Sequence, residues 1–153
     1  MQLHLLCVSK PVKGWVKLAC EDYEKRLQAP GQIRFQVKEI QPVTSDVQRK
    51  EKEAERLIAA TPKDCMRLVF DERGKDLSTV ALAKQISEWR DQAVNVACFI
   101  GGADGLAKEF LADADLCWSV SKFTLPHQLV RVMLTEQIYR AVSILNNHPY
   151  HRA

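Results

Sequence analysis

The sequence predicts an α/β fold, a mainly parallel sheet flanked by helices, in a single domain spanning 1–153. Three observations lead there. Short, apolar, β-prone runs alternate with segments of helical period along the whole chain, the order that builds a sheet with helical crossovers. A length of 153 residues suits one core. The composition, 46% hydrophobic and 27% charged, is that of an ordinary globular protein, and no repeat, linker or low-complexity tract divides it.

The elements follow in order. Residues 3–9 are apolar and read as a first strand; no basic cluster precedes them, so they do not read as a leader. Residues 15–27 have helical period through Trp15, Leu18, Ala19, Tyr23 and Leu27 and stop at Pro30-Gly31. Residues 33–40 alternate through Ile33, Phe35 and Val37, then shift one step to Ile40. Residues 46–60 are highly charged, with a thin stripe of Val47, Ala54, Leu57 and Ile58, and read as a surface helix. Arg67-Leu68-Val69-Phe70-Asp71 is a short buried strand ending in an acid. Ser78 caps a helix that runs to Arg90 and carries Val80, Leu82, Ala83, Ile86 and Trp89. Residues 95–100 form the next strand and enter Gly101-Gly102. A short helix at 108–114, a strand at 116–120 and a long helix at 128–146 complete the order.

Several function classes drop out. No apolar run approaches the ~20 residues of a membrane helix. The cysteines, Cys7, Cys20, Cys65, Cys98 and Cys117, are odd in number and widely spaced, with no C-x-x-C. They read as free thiols in a reducing, cytoplasmic compartment, not as a disulfide frame or a zinc site. Net charge is +3, but it is uneven: residues 1–119 hold 18 Lys/Arg and 18 Asp/Glu, while 120–153 hold Lys122, Arg131, Arg140 and Arg152 against Glu136. A local basic excess is what a polyanion-binding surface needs, although four scattered cations are also compatible with no such partner.

Three segments carry groups suited to chemistry. Phe99-Ile100-Gly101-Gly102-Ala103-Asp104-Gly105 follows a buried strand, and its glycines permit tight turning and close approach of backbone to a ligand. It is neither the dinucleotide fingerprint nor a P-loop, and a plain strand-to-helix turn explains it as well. Ser119-Val120-Ser121-Lys122-Phe123-Thr124-Leu125-Pro126-His127 links the last strand to the last helix. A polar loop there presents backbone N–H and C=O groups to a flat heterocycle; the plainer account makes Thr124 a helix cap. The tail, His148-Pro149-Tyr150-His151-Arg152, packs an aromatic, two imidazoles and a guanidinium into five residues. Such groups stack on a base, grip a phosphate or move a proton. Metal binding by His148 and His151 lacks a third ligand nearby. The last helix is apolar on more than one face, through Leu129, Val130, Val132, Met133, Leu134, Ile138, Tyr139, Ala141, Val142, Ile144 and Leu145. Such a helix is buried on two sides, which favours a homodimer over a wholly internal helix.

Phe99-Ile-Gly-Gly-Ala-Asp-Gly105, Ser121-Lys-Phe-Thr-Leu-Pro-His127, Leu129-Val-Arg131, Glu136-Gln-Ile-Tyr-Arg140 and Asn147-His-Pro-Tyr-His-Arg152, in that order, closely resemble the ribosomal RNA large subunit methyltransferase H family of the SPOUT superfamily. The resemblance runs the length of the chain, strongest from about residue 96 and thin over 1–65. It implies a trefoil knot near the C-terminus, S-adenosyl-L-methionine as cofactor, a homodimer, and methylation of N3 of pseudouridine 1915 in the 23S rRNA of assembled 70S ribosomes. Another RNA such as tRNA, or a non-catalytic ribosome-binding dimer, are the alternatives. Carried over by position, the cofactor falls on Phe70, Gly102, Ser121, Lys122, Phe123, Thr124, Leu125 and Pro126, with Gly102 leaving room for its passage. Catalysis and RNA contact fall on Tyr150, His151 and Arg152, supported by His127, Arg131 and Glu136. Glu136 and Arg140 are also a favourable i,i+4 pair in their own right. Methyl transfer from a sulfonium requires neither a metal nor a covalent intermediate, so positioning carries much of the rate.

Overall fold

Side chains alternate across a strand, and in this chain both sets are apolar. In the first strand Leu3, Leu5 and Cys7 join one core while Leu6 and Val8 join another; in the fourth, Val96, Cys98 and Ile100 part from Ala97 and Phe99 in the same way. Strands apolar on both faces require cover on both, which parallel sheets obtain from their crossover helices. The computed structural model, which describes residues 1–28, 33–44 and 46–152, has that arrangement. The order is β1 (Gln2–Val8), α1 (Gly14–Leu27), β2 (Arg34–Ile40), α2 (Arg49–Ala60), β3 (Cys65–Asp76), α3 (Thr79–Asp91), β4 (Asn95–Ile100), α4 (Lys108–Ala112), β5 (Leu116–Ser119) and α5 (His127–Leu145). The strands pair in parallel in the order β2-β1-β4-β3-β5.

Helices α1, α3 and α5 cover one face through Leu27, Leu82, Ala83, Ile86, Trp89, Leu134, Ile138 and Ala141. Helices α2 and α4 cover the other through Ala54, Leu57 and Phe110, and the Phe110 ring meets Phe99 edge-on at 5.0 Å. Phe99 is 0% exposed; full burial of such a ring is worth roughly 2–3 kcal/mol. Helix α5 lies against α1 and α3, and every residue from 129 to 145 is buried or half-buried. Among the described residues no helix is long and apolar enough to cross a membrane.

The predicted elements are present, with shifted bounds that have physical causes. Ser78 caps α3 as expected, accepting from the Ala81 N–H at 3.2 Å. The charged helix starts three residues late, at Arg49, because Asp46 takes the Gln48 N–H (2.9 Å) in a side-chain turn. Val47 and Ile58, expected in its stripe, are exposed, and so is Val80 of α3. Helix α1 offers two apolar stripes and buries Val16, Cys20 and Leu27; Trp15 and Leu18, expected inside, face outward at 62% and 69% exposure. Pro30 and Gly31, the expected helix stop, lie outside the described residues. The step to Ile40 in β2 is a change of face within an unbroken register with β1: Ile33, Phe35 and Val37 join one core and Ile40 the other.

One charged side chain crosses this apolar packing. Arg131 of α5 is 6% exposed and donates from Nη1 to Glu39 Oε1 of β2 at 2.6 Å, with Glu24 of α1 at 3.9 Å. Glu39 Oε1 also accepts the Val12 N–H at 3.3 Å. Beside it, burial pushes the Cys7 thiol up to about 12, against the pull of the Arg131 charge. The five cysteines are free. Replacing Arg131 with Met should cost about 2–3 kcal/mol of stability, below the usual toll for orphaning a buried charge because Glu39 retains solvent contact. A urea midpoint that falls while the slope holds would register it; an unmoved midpoint would remove the pair's role.

Candidate functional site

Parallel strands point their carboxyl ends to one edge, where ligands gather. At the ends of β3, β4 and β5 lies a cleft of about 510 Å³, lined by 70–73, 100–106, 119–121, 123–127 and Val130. Three loops build it, and each is held by its own sequence.

The first loop follows Phe70. Strand β3 pairs with β5 up to Phe70–Trp118, leaves it, and returns at Lys75–Trp118 and Asp76–Ser119, so 71–74 bulge out over one tryptophan. Only glycine permits this return: a Cβ on Gly74 would stand 2.5 Å from the Trp118 backbone carbon. Trp118 is fixed beneath by stacking on Trp89 at 5.6 Å. Within the bulge Arg73 grips Asp71 with Nε (2.8 Å), Nη2 (3.1 Å) and its own N–H (3.0 Å). That grip holds the Asp71 carboxyl below its usual range.

The second loop, 119–126, is a run of serine-based turns. Ser119 Oγ donates to the Ser121 carbonyl (2.7 Å), and Ser121 Oγ accepts the Phe123 N–H (2.9 Å). Two links then tie it to the first loop, Thr124 Oγ1 to Glu72 Oε2 (2.9 Å) and Lys122 Nζ to Asp76 (3.2 Å). Thr124 is therefore not a helix cap; Pro126 occupies that position without a side-chain bond.

The third loop holds the glycines. The Gly105 N–H donates to the Gly102 carbonyl at 3.0 Å, closing a tight turn that Gly105 completes at φ +77°. Gly102 lines the cleft, and protein packing gives a further reason for a glycine there. A Cβ on Gly102 would meet Val8 Cγ1 and Glu53 Oε2, each at 3.1 Å. The missing side chain makes room for β1 and α2 packed beneath the turn.

Of the residues expected to hold a cofactor, Phe70, Gly102, Ser121, Phe123, Thr124, Leu125 and Pro126 line this one cleft, joined by His127; Lys122 does not, its side chain being 72% exposed and turned to Asp76. Asp71, Glu72 and Arg73 also line it and were missed, because the strand reading ended at its acid.

The tail gathers elsewhere. Asn147, in the left-handed region at φ 54°, lets the His148 N–H reach the Ser143 carbonyl (2.9 Å) and turns the chain back on α5. Tyr150 then donates to Glu136 Oε1 (3.1 Å), its hydroxyl lies 3.3 Å from that of Tyr23, and Arg140 sits 4.7 Å over its ring. Burial, then the Tyr23 bond and the Glu136 charge, push the Tyr150 phenol well above its usual value. Arg140 also grips Glu136 (2.6 Å), the expected i,i+4 pair. Neither ring nitrogen of His151 has a hydrogen-bond partner among the described residues. Arg131 is not with this group; its guanidinium is bound to Glu39. The C-terminal basic excess is largely spent within the chain: Lys122, Arg131 and Arg140 are ion-paired, and Arg152 alone of the four is not, among the described residues. A second cleft, about 590 Å³, shares Phe70, Ser119 and Val120 with the first and ends at Tyr23 and Glu136. Among the described residues no three His, Cys, Asp or Glu side chains form a metal-sized group.

Over residues 1–151 the chain matches the family described as "Predicted SPOUT methyltransferase". It is 41% identical to the ribosomal RNA large subunit methyltransferase H of Hydrogenovibrio crunogenus and 43% identical to that of Ralstonia pickettii, in each case over 99% of both chains. Among solved structures it resembles a probable methylase family protein from Haemophilus influenzae (TM-score 0.60, 13% identity, 99% of this chain and 70% of that one). It also resembles TrmJ from Z. mobilis (TM-score 0.55, 11% identity, 92% and 70%). At those identities the structures speak to fold alone.

The geometry at Gly102 gives a direct test. Gly102→Val should lower stability by about 1–3 kcal/mol through overpacking against Val8 and Glu53. A thermal melt equal to that of the parent would place the contact elsewhere.

Proposed function

Because the chain belongs to the SPOUT methyltransferase family, we propose that it methylates N3 of pseudouridine 1915 in 23S rRNA of assembled ribosomes, as a cytoplasmic homodimer using S-adenosyl-L-methionine. The observation that carries the reading is the convergence of seven motif residues, from Phe70 to Pro126, on one cleft at the carboxyl edge of the sheet.

The cleft fits the cofactor's chemistry. Phe70, Ile100, Leu125 and Val130 give it apolar walls, and its volume of about 510 Å³ falls within the range of small-molecule sites. The 121–126 loop, braced by its serines, offers backbone N–H and C=O groups to a heterocycle. When bound, the cofactor supplies a methyl carbon on a positively charged sulfur. The pseudouridine N3 carries a proton that leaves at or before attack. His151 is assigned as its acceptor, a reading supported by ring nitrogens that have no hydrogen-bond partner among the described residues. Arg152, without an ion-pair partner among the described residues, is assigned to the negative charge that develops on the base. Tyr150 stays protonated and orients the base; Glu136 and Arg140 hold Tyr150. His127, which lines the cleft, is assigned to RNA contact. Arg131 serves by fixing α5.

The dimer is supported by distance. The cleft sits at the start of α5, at His127, and Tyr150 at Glu136, nine residues on, which is roughly 13–14 Å of helix rise. A second copy that brings its tail to this cleft completes one site from two chains and covers the half-exposed Val132 and Met133 of α5. We also infer the trefoil knot, on the family's precedent and on the way 71–76 close over 118–124.

Two measurements test the reading. Mass spectrometry of rRNA nucleosides from cells lacking the gene should show N3-methylpseudouridine lost; its persistence, or a loss confined to tRNA, rejects the proposed substrate. Removing residues 150–153 should leave S-adenosyl-L-methionine binding and, by light scattering, the dimer nearly intact while methylation of ribosomes stops; full turnover by the truncated protein would move the active site away from the tail.

A further inference from the structure

Beneath the cleft lies a buried acid that the reaction as described does not use. Glu53 of α2 is 2% exposed. Its Oε1 accepts the Val43 N–H at 3.0 Å and Arg49 Nε at 3.2 Å. Its Oε2 is buried without a partner among the described residues and lies 3.1 Å from where a Cβ on Gly102 would stand. A carboxylate kept in such a place is costly, since one oxygen is stripped of water and unpaired. A methionine would fill the space without that cost, so packing alone does not account for the charge.

Arg49 extends the line upward. Its Nη1 is 3.2 Å from Asp104 Oδ2, and Asp104 lines the cleft two residues beyond Gly102. The 101–105 turn is thus bounded from outside at two points: Glu53 Oε2 lies where a side chain on Gly102 would reach, and Arg49 pairs with Asp104. One guanidinium joins the two carboxylates, so a change at either is felt at the other. Arg49 also stands in the first turn of α2, where the helix dipole disfavours a cation; the two acids compensate for that.

We propose that Glu53, Arg49 and Asp104 act as one positioning unit that sets the shape of the 101–105 turn and thereby the affinity of the cleft for S-adenosyl-L-methionine, an inference that rests on the cofactor reading above. None of the three is assigned to touch the RNA. Their effect is confined to cofactor binding and to the alignment that follows from it.

The test uses the full-length protein with Glu53→Gln, Asp104→Asn and both together. Calorimetry should show each single variant binding S-adenosyl-L-methionine roughly 5–20-fold more weakly. The double variant should be no weaker than Glu53→Gln alone, because both changes act through Arg49. The KM for ribosomes should not move. Asp104 is half exposed, so Asp104→Asn folds even if Glu53→Gln does not. A purely structural role would lower the melting temperature and leave the affinity of the folded variants unchanged; that result overturns the proposal, as do two losses that simply multiply. A parent protein that binds no S-adenosyl-L-methionine fails at an earlier step: it rejects the cofactor reading, and the proposal with it, before any variant is compared.

Discussion

One guanidinium joins three elements of this molecule. Arg131 projects from α5 into an apolar interior and finds its carboxylates on β2 and α1, while the loop between β1 and α1 bonds to the same Glu39 oxygen. Removing a guanidinium from water is expensive, and that expense is met only in this one register of α5 against the sheet. Sliding the helix by a turn would strand the charge. The pair therefore does more to fix position than to add stability, and position is what the rest requires. The start of α5 closes the cleft through His127 and Val130, and its later turns carry Glu136 and Arg140, on which the tail is folded.

The cleft and the tail are built on different principles. The cleft is built by three loops, determined by what their residues lack or internally satisfy. Gly74 lacks a side chain where Trp118 presses, Gly102 lacks one where Glu53 and Val8 press, and the serines of 119–121 satisfy their own loop. The tail is a cluster of side chains on a helix surface, held by one carboxylate, one cation and three tyrosine rings. The first arrangement suits a ligand of constant shape; the second suits a partner that arrives and leaves.

Much of this was legible in the sequence. Alternation of apolar strands and periodic helices gave the layering, because parallel strands buried on both faces leave little choice of composition. Most of the residues expected to hold a cofactor gather at the carboxyl edge of the sheet. What escaped had particular causes. The bulge at 71–74 was invisible because strand periodicity says nothing of a chain that leaves its neighbour and returns, although a glycine among charged residues was a hint. Helix α1 carries two apolar stripes, and periodicity does not tell which one meets the sheet. The basic excess after residue 120 was real in number, but charge counting cannot see that Arg131 and Arg140 are already paired. The packing constraint on Gly102 was not legible, since one neighbour of its absent side chain, Glu53, lies 49 residues earlier. The reversal of the tail at Asn147 did have a signal, an Asn-Asn pair at the end of a helix, that went unused.

Helix α5 follows all five strands in the chain. It lies over the sheet with α1 and α3, against the face that carries Leu3, Leu5, Val96 and Cys98. During synthesis that face is complete, and in part uncovered, before its cover exists. At about 5–20 residues per second, the stretch from the end of β5 to the end of α5 takes on the order of seconds to be made. For that interval the nascent chain presents an apolar sheet and an unfinished cleft. Until α5 docks, that face is open to misassociation, and the cleft lacks the wall that His127 and Val130 supply.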